Sequence, residues 1–170
     1  MHAYLNYDYN KGIWTSIFIA INIIQIFIIY RDRQELTIPE QIRDLYENIF
    51  HTNSSREFLH FWDQGQLHYS TKEKILSAGD KQADLMLILN GAAHVIRDDE
   101  RIATLERGQF IAEISYITGK PASADVVSQE ELSYYVWDRN TLEKLRKSKP
   151  ATMDKLNRIL TLDMAGKLTR

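Results

Sequence analysis

The stretch from Gly108 to Val127 reads GQFIAEISYITGKPASADVV and lies within a series of short apolar segments. From about Gln66 to Trp137 these segments are separated by turn signals, among them Ala78-Gly79-Asp80, Asn90-Gly91, Asp98-Asp99-Glu100 and Gly119-Lys120-Pro121. Segments typical of strands cover residues 85–89, 94–97, 101–105, 125–127 and 133–136. Several short strands divided by turns predict an antiparallel β jelly roll or sandwich.

Helices are predicted on both sides of the strands, which makes the fold class mostly β with flanking α-helices. Thr37-Ile38-Pro39-Glu40 and Ser54-Ser55-Arg56-Glu57 both have the hydroxyl-to-glutamate spacing of a helix start. Two more helices are predicted after the strands, over residues 141–147 and 151–168. The last helix has an apolar stripe formed by Leu156, Ile159, Leu160 and Met164. This stripe fits packing on the barrel, and it also fits a homodimer through the C-terminal helix.

The segment from Ile13 to Tyr30 reads IWTSIFIAINIIQIFIIY, 18 residues without a charge. At about 1.5 Å per residue, a helix of this length spans roughly 27 Å, close to the hydrocarbon core of a bilayer. A core helix of a small domain is rarely apolar on every face. A signal peptide has a shorter apolar run and a small-residue cleavage site. Residues 13–30 are therefore predicted to form one transmembrane helix in contact with membrane lipid.

Positive charge is in excess after this segment, where Arg31, Arg33 and Arg43 follow, against Lys11 before it. This asymmetry predicts a single-pass protein of the cell membrane with a cytoplasmic C-terminal domain. Inside the segment, Asn22 and Gln25 share a helical face. Two interpretations stay open for them: hydrogen bonds across a pair of such helices, or bonds to neighbouring backbone.

The predicted organisation has five parts. They are an N-terminal tail (1–12), the transmembrane helix (13–30), juxtamembrane helices (31–63), the jelly roll (64–140) and C-terminal helices (141–170).

Composition argues against several functions. A net charge of −2 gives no basic field for nucleic acid, and the absence of cysteine excludes disulfides and thiolate metal sites. Gly119-Lys120 is followed by proline and not by the Ser/Thr of a phosphate loop. His60 and His68 have no third metal ligand at useful spacing. We therefore expect no enzyme activity, no bound metal, no resident cofactor and no nucleic-acid partner.

Residues 59–150 resemble the cyclic-nucleotide-binding domain family. The similar motifs are residues 75–80 (ILSAGD), residues 85–91 (LMLILNG), residues 102–105 (IATL) with residues 107–110 (RGQF), and the spacing from Gly108 through Glu113 to Pro121. The chain as a whole also resembles the Popeye-domain proteins, through Tyr30-Arg31-Asp32-Arg33, residues 45–50, Trp137-Asp138-Arg139 and Gly166-Lys167-Leu168. Popeye-domain proteins typically have three membrane spans and a different cassette motif. This chain is thus identified as a Popeye-domain-like member of the cyclic-nucleotide-binding superfamily.

The resemblance identifies residues 108–127 as the phosphate-binding cassette and cAMP as the expected ligand. It implies that Glu113 accepts a hydrogen bond from the ribose 2′-hydroxyl and that Ser123 donates to a phosphate oxygen. Two positions depart from the family: Ala112 stands where glycine is usual, and Ala122 replaces the arginine that binds the phosphate. The neighbouring positions Phe110, Ile114 and Ala124 complete the implied ligand-binding set.

Losing a charge-assisted hydrogen bond of roughly 1.5–3 kcal/mol predicts at least about tenfold weaker binding. Asp125 would repel the phosphate if it faced the pocket, and Lys120 is interpreted as a solvated loop charge. The predicted function is a membrane-anchored regulatory module that senses cAMP through a divergent cassette and acts on membrane protein partners. The alternative is a degenerate scaffold that binds no nucleotide and serves as a membrane-tethered protein-interaction domain.

Overall fold

The computed structural model describes residues 2–33, 36–81 and 84–168, which form two compact units, Met1–Thr37 and Ile38–Arg170. Predictions that extend to residues 1, 34–35, 82–83 and 169–170 lie outside the described residues.

In its described residues, 2–33 and 36–37, the first unit contains one helix, α1 (His2–Arg33). The helix therefore includes residues 2–12, which were predicted as a tail. Its stretch Gly12–Tyr30 is, in the described part of the chain, the one helix long and apolar enough by length and composition to cross a membrane. The side-chain amide of Asn22 donates to the carbonyl of Phe18 at 2.7 Å, which agrees with the interpretation that it bonds to neighbouring backbone.

The second unit contains the remaining helices and strands. The helices are α2 (Glu40–Asn48), α3 (Ser55–Trp62), α4 (Glu113–Thr118), α5 (Arg139–Ser148) and α6 (Pro150–Leu168). The strands are β1 (Gln66–Thr71), β2 (Lys74–Leu76), β3 (Leu85–Asn90), β4 (Ala93–Arg97), β5 (Glu100–Leu105), β6 (Phe110–Ile111), β7 (Asp125–Ser128) and β8 (Glu131–Trp137).

Of the two predicted helix starts, one is confirmed and one is wrong. Ser54 and Glu57 form a reciprocal capping box at the start of α3. The predicted cap at Thr37 does not form, because α2 begins only at Glu40, directly after Pro39, with no side-chain cap. A residue before proline is disfavoured in the helical region, so Ile38 stays outside the helix and Thr37 is too far from its first free N–H groups.

The strands form two antiparallel four-stranded sheets, in the orders β1-β8-β3-β6 and β2-β7-β4-β5. The predicted antiparallel β fold with flanking helices is confirmed. Local patterns missed β1, β2 and β6, since β1 is polar and largely exposed at a sheet edge and β2 and β6 have only three and two residues. Residues of β2 were included only through the family resemblance.

Strand β3 separates two cores because its side chains alternate between the two faces of the sheet. Leu85 and Leu87 pack with residues of the helices, while Met86 and Ile88 pack with residues of the opposite sheet. All four are buried, which explains why the segment is a continuous apolar run.

The helices are attached to the first sheet at specific points. Arg107 binds both carboxylate oxygens of Asp44 in α2 and donates to the carbonyls of Gln41 and Leu89. The Trp137 indole stacks on Phe61 with ring centroids 4.6 Å apart and donates to the Phe61 carbonyl at 3.1 Å.

Helix α6 packs against α4 and α5. Three of the four residues of its predicted apolar stripe, Leu156, Ile159 and Leu160, are buried in the core that also contains residues of α2 and α3, and the fourth, Met164, is half-buried. The stripe thus follows the first of its two interpretations, and the homodimer stays a prediction. Because α6 packs against α4, the end of α6 lies next to the cassette.

Candidate functional site

The cassette leaves the sheet through a sharp turn between β6 and α4. Ala112 caps α4 in the left-handed region, at φ 66° and ψ 13°, and Gly119 ends the helix at φ 68°. Alanine is strained in this region, where glycine is not. The structure therefore gives a physical reason for the glycine that the resemblance implies at position 112. The present chain forms the same turn with alanine, at the cost of backbone strain.

Replacing Ala112 with glycine is expected to raise the free energy of unfolding by about 1 kcal/mol, because the relieved strain exceeds glycine's larger loss of chain entropy. The measurement is urea unfolding followed by circular dichroism. Ala122→Gly is the matched control, since Ala122 lies in the same cassette without a positive φ. It should lose stability, and equal losses at both positions would contradict the assignment of strain to Ala112.

Behind the cassette lies a cavity of about 340 Å³. Six of the seven predicted ligand-binding residues line it: Ala112, Glu113, Ile114, Ala122, Ser123 and Ala124. The exception is Phe110, whose side chain is buried in the helical core against Phe50. Apolar side chains from β4, β5 and β7 form the facing wall, among them Val95, Ile102 and Val126. A mostly apolar pocket with a few polar groups is typical of a small-molecule site.

Glu113 is already engaged by the protein itself. Lys167, near the end of α6, lies with its Nζ 2.7 Å from Glu113 Oε1 and donates to the Phe110 carbonyl at 2.7 Å. The same ammonium lies 2.7 Å from a carboxylate oxygen of Asp163. A ribose hydroxyl that bonds to Glu113 must therefore share the carboxylate with Lys167.

The pKa of Glu113 is raised, because burial disfavours its charged form more than Lys167 favours it. The side chain is only 6% exposed, so the ion pair does not cancel the cost of removing this carboxylate from water. Glu113 is thus a buried acceptor with one cationic partner from a distant part of the chain.

Asp125 does not oppose an anion in the way its sequence position suggested. One oxygen of its carboxylate lies 2.6 Å from Lys74 Nζ, and the other accepts from the backbone N–H of Ala78 at 2.7 Å. The hydrogen bond from Lys74 lowers the pKa of Asp125. Neither Asp125 nor Lys120 is among the residues lining the cavity. The expected repulsion by Asp125 is therefore removed.

Sequence reasoning missed two cationic residues of the cavity, Arg97 and Lys167. Arg97 ends β4 and bonds to Ser123 through two guanidinium nitrogens, with Nε 3.1 Å from the Ser123 carbonyl and Nη2 3.0 Å from its hydroxyl. One signal was present in the sequence: Val95 and Arg97 are two apart on a strand and so share a face. Lys167 had no comparable local signal.

Comparison with known proteins agrees with this geometry. Residues 66–149 match the family model "Cyclic nucleotide-binding domain". The crystal structure of a cyclic nucleotide-binding domain from Methylobacillus flagellatus KT matches with a TM-score of 0.70 and 27% identity, covering 76% of this chain and 78% of that one. No curated protein matches the sequence.

Two further structures share the fold at lower identity. The Thermus thermophilus catabolite activator protein has a TM-score of 0.59 and 19% identity, with 69% of this chain and 58% of that chain covered. The regulatory domain of Toxoplasma gondii PKA, crystallised with cAMP, has a TM-score of 0.55 and 16% identity, with 62% and 43% covered.

Proposed function

We propose that this protein is a membrane-anchored regulatory module that binds a cyclic nucleotide, with cAMP as the ligand, since residues 66–149 match the family model of the cyclic nucleotide-binding domain. The observation that carries the proposal is the cavity, lined by six of the seven residues that the resemblance assigns to ligand binding. Among its polar groups, Glu113 and Ser123 lie along the cassette, and apolar side chains of β4, β5 and β7 form the facing wall. This division suits a sugar phosphate on one wall and a base on the other.

The membrane anchor is the second part of the proposal. Helix α1 contains 19 residues, Gly12–Tyr30, with the length and composition of a membrane span. The excess of arginine after this stretch supports the proposal that the domain lies on the cytoplasmic side. An N-terminal anchor followed by this domain is the arrangement of the Popeye type, which is the narrower relationship that we propose.

A second candidate function is favoured by two observations at the cassette. Ala122 supplies no guanidinium, and Lys167 already occupies an oxygen of Glu113. A domain with these features serves as a membrane-tethered protein-interaction scaffold if its cavity takes no nucleotide.

The test uses the full chain and two readouts. Membranes from cells that express it are extracted with alkaline carbonate, and we expect the protein to stay in the membrane fraction. The detergent-solubilised protein is then titrated with cAMP and cGMP by calorimetry, and micromolar binding of cAMP is the expected result. Release by carbonate would contradict the anchor. A folded protein that binds neither nucleotide would contradict the ligand assignment and favour the scaffold.

A further inference from the structure

Arg97 and Ser123 bring β4 and the cassette together at the mouth of the cavity. The two bonds from the guanidinium to the carbonyl and hydroxyl of Ser123 hold Arg97 beside the residue that follows Ala122. The β4–β7 pairing, with Ile96 opposite Asp125, brings the end of β4 alongside the end of the cassette. The guanidinium is thus carried by a strand and oriented by the cassette itself.

The charges of the cavity leave Arg97 without a counter-ion. Among the residues that line it, Arg97, Lys167 and Glu113 carry formal charge, and Lys167 is paired with Glu113 at 2.7 Å. Arg97 forms no ion pair within the described residues 2–33, 36–81 and 84–168, and Asp125 is held by Lys74. Lys167 also contacts Asp163, which does not line the cavity, so Arg97 is the cation of the described lining residues that has no carboxylate partner, and it lies beside Ser123 of the cassette.

We propose that Arg97 is the phosphate-binding arginine of this protein, supplied by β4 in place of the cassette position that Ala122 occupies. The proposal rests on the cyclic-nucleotide function given above and names the residue that holds the ligand's anionic group. A guanidinium has more N–H donors than the two bonds to Ser123 use, and the others remain for phosphate oxygens. The Ser123 hydroxyl accepts from Arg97, so its own proton is free to donate to a second oxygen.

This arrangement selects a phosphate ester, because the Arg97 guanidinium and the Ser123 hydroxyl are adjacent donors that can each bind one of its oxygens. It also changes the expected penalty for the alanine at position 122, because the charge-assisted bond is moved to another residue and not lost. The route by which the guanidinium reaches the site differs from that of a cassette arginine, since the side chain enters from the β4–β5 side.

The test compares Arg97→Ala with Arg101→Ala in the full chain. Arg101 is an exposed arginine of the neighbouring strand β5 and does not line the cavity. Calorimetric titration with cAMP should show binding weakened by at least about tenfold in Arg97→Ala and unchanged in Arg101→Ala. Adenosine, which lacks the phosphate, should bind both variants equally. Equal cAMP affinity in the two variants would overturn the assignment.

Inorganic phosphate separates failure of this inference from failure of the proposed function. If the native chain binds neither cAMP nor cGMP, its thermal unfolding is measured with increasing phosphate. A rise in Tm that Arg97→Ala loses and Arg101→Ala keeps supports the anion site and rejects the cyclic-nucleotide function. A rise equal in all three proteins is general salt stabilisation, and it overturns both proposals.

Discussion

Replacing Ala122 with arginine is expected to tighten cAMP binding by about tenfold, because a second guanidinium then binds the phosphate that Arg97 already holds. Ala122 lines the cavity, so a longer side chain at this position extends into it. Its backbone is fixed on both sides, since its N–H donates to the Asp80 carbonyl at 2.9 Å and its carbonyl accepts from Gly79 at 2.8 Å. A guanidinium here starts from a rigid position, which limits the entropy lost on binding. The measurement is calorimetric titration of the full chain.

Ala122→Met is the matched control for this prediction. Methionine adds a side chain of similar length without a charge, so it should leave cAMP affinity unchanged or weaken it. If arginine and methionine change the affinity equally, the phosphate does not lie at this part of the cassette. If the native chain is silent and only Ala122→Arg binds, the cavity is intact and the proposal of cAMP sensing by the native protein is wrong.

The two arginine positions are also expected to depend on each other. In an Arg97→Ala background, Ala122→Arg should restore affinity by a larger factor than it gains in the native background, because both guanidinium groups serve the same phosphate. The free-energy effects of substituting two residues that share a binding partner are generally not additive. Additive effects would show that the two side chains act on different groups.

The fold was predictable where local patterns specify it. The run from Leu85 to Leu89 is apolar because β3 is buried on both faces, and the box at Ser54 predicts the start of α3. The predicted helix cap at Thr37 was wrong because the capping pattern takes no account of how Pro39 restricts the backbone of the residue before it. Edge strand β1 was missed because its exposed side chains remove the alternation by which a half-buried strand is identified.

The site was predictable only within the cassette. Six of the positions that the resemblance assigns to ligand binding line the cavity, in two runs of the same cassette, residues 112–114 and 122–124, and their role in binding stays a prediction. Arg97 and Lys167 reach the cavity through strand pairing and helix packing, 26 residues from Ser123 in one case and 54 from Glu113 in the other. Local spacing in the sequence cannot predict contacts between residues that are so far apart in the chain. The consequence is chemical, because the sequence suggested a cassette short of positive charge and the fold supplies it from elsewhere.

Replacing Lys167 with methionine is expected to lower the free energy of unfolding by about 3 kcal/mol at neutral pH. The change keeps most of the side-chain volume but leaves Glu113, 6% exposed, without its cation and close to Asp163. Lys155→Met is the matched control in the same helix, because Lys155 pairs with Glu57 at the same 2.7 Å but the two side chains are 35% and 30% exposed. A more solvated pair of this kind is worth less than about 1 kcal/mol.

The loss in Lys167→Met should shrink as the pH falls. Burial already raises the pKa of Glu113 above its ordinary 4.5, and removing the ammonium that lowers it raises the pKa further. The folded variant then binds a proton at a pH where the unfolded chain has not, so acidification through this window stabilises the variant relative to the native protein. Urea unfolding at a series of pH values measures the difference between the two proteins.

A second substitution identifies the cause. Glu113→Gln combined with Lys167→Met removes the uncompensated carboxylate and should recover much of the stability lost in the single variant. If the free energy of unfolding instead falls by the same small amount in Lys167→Met and Lys155→Met at every pH, the end of α6 does not hold the ammonium at Glu113 in solution. The carboxylate would then be free for a ribose hydroxyl, and cAMP affinity would be insensitive to Lys167.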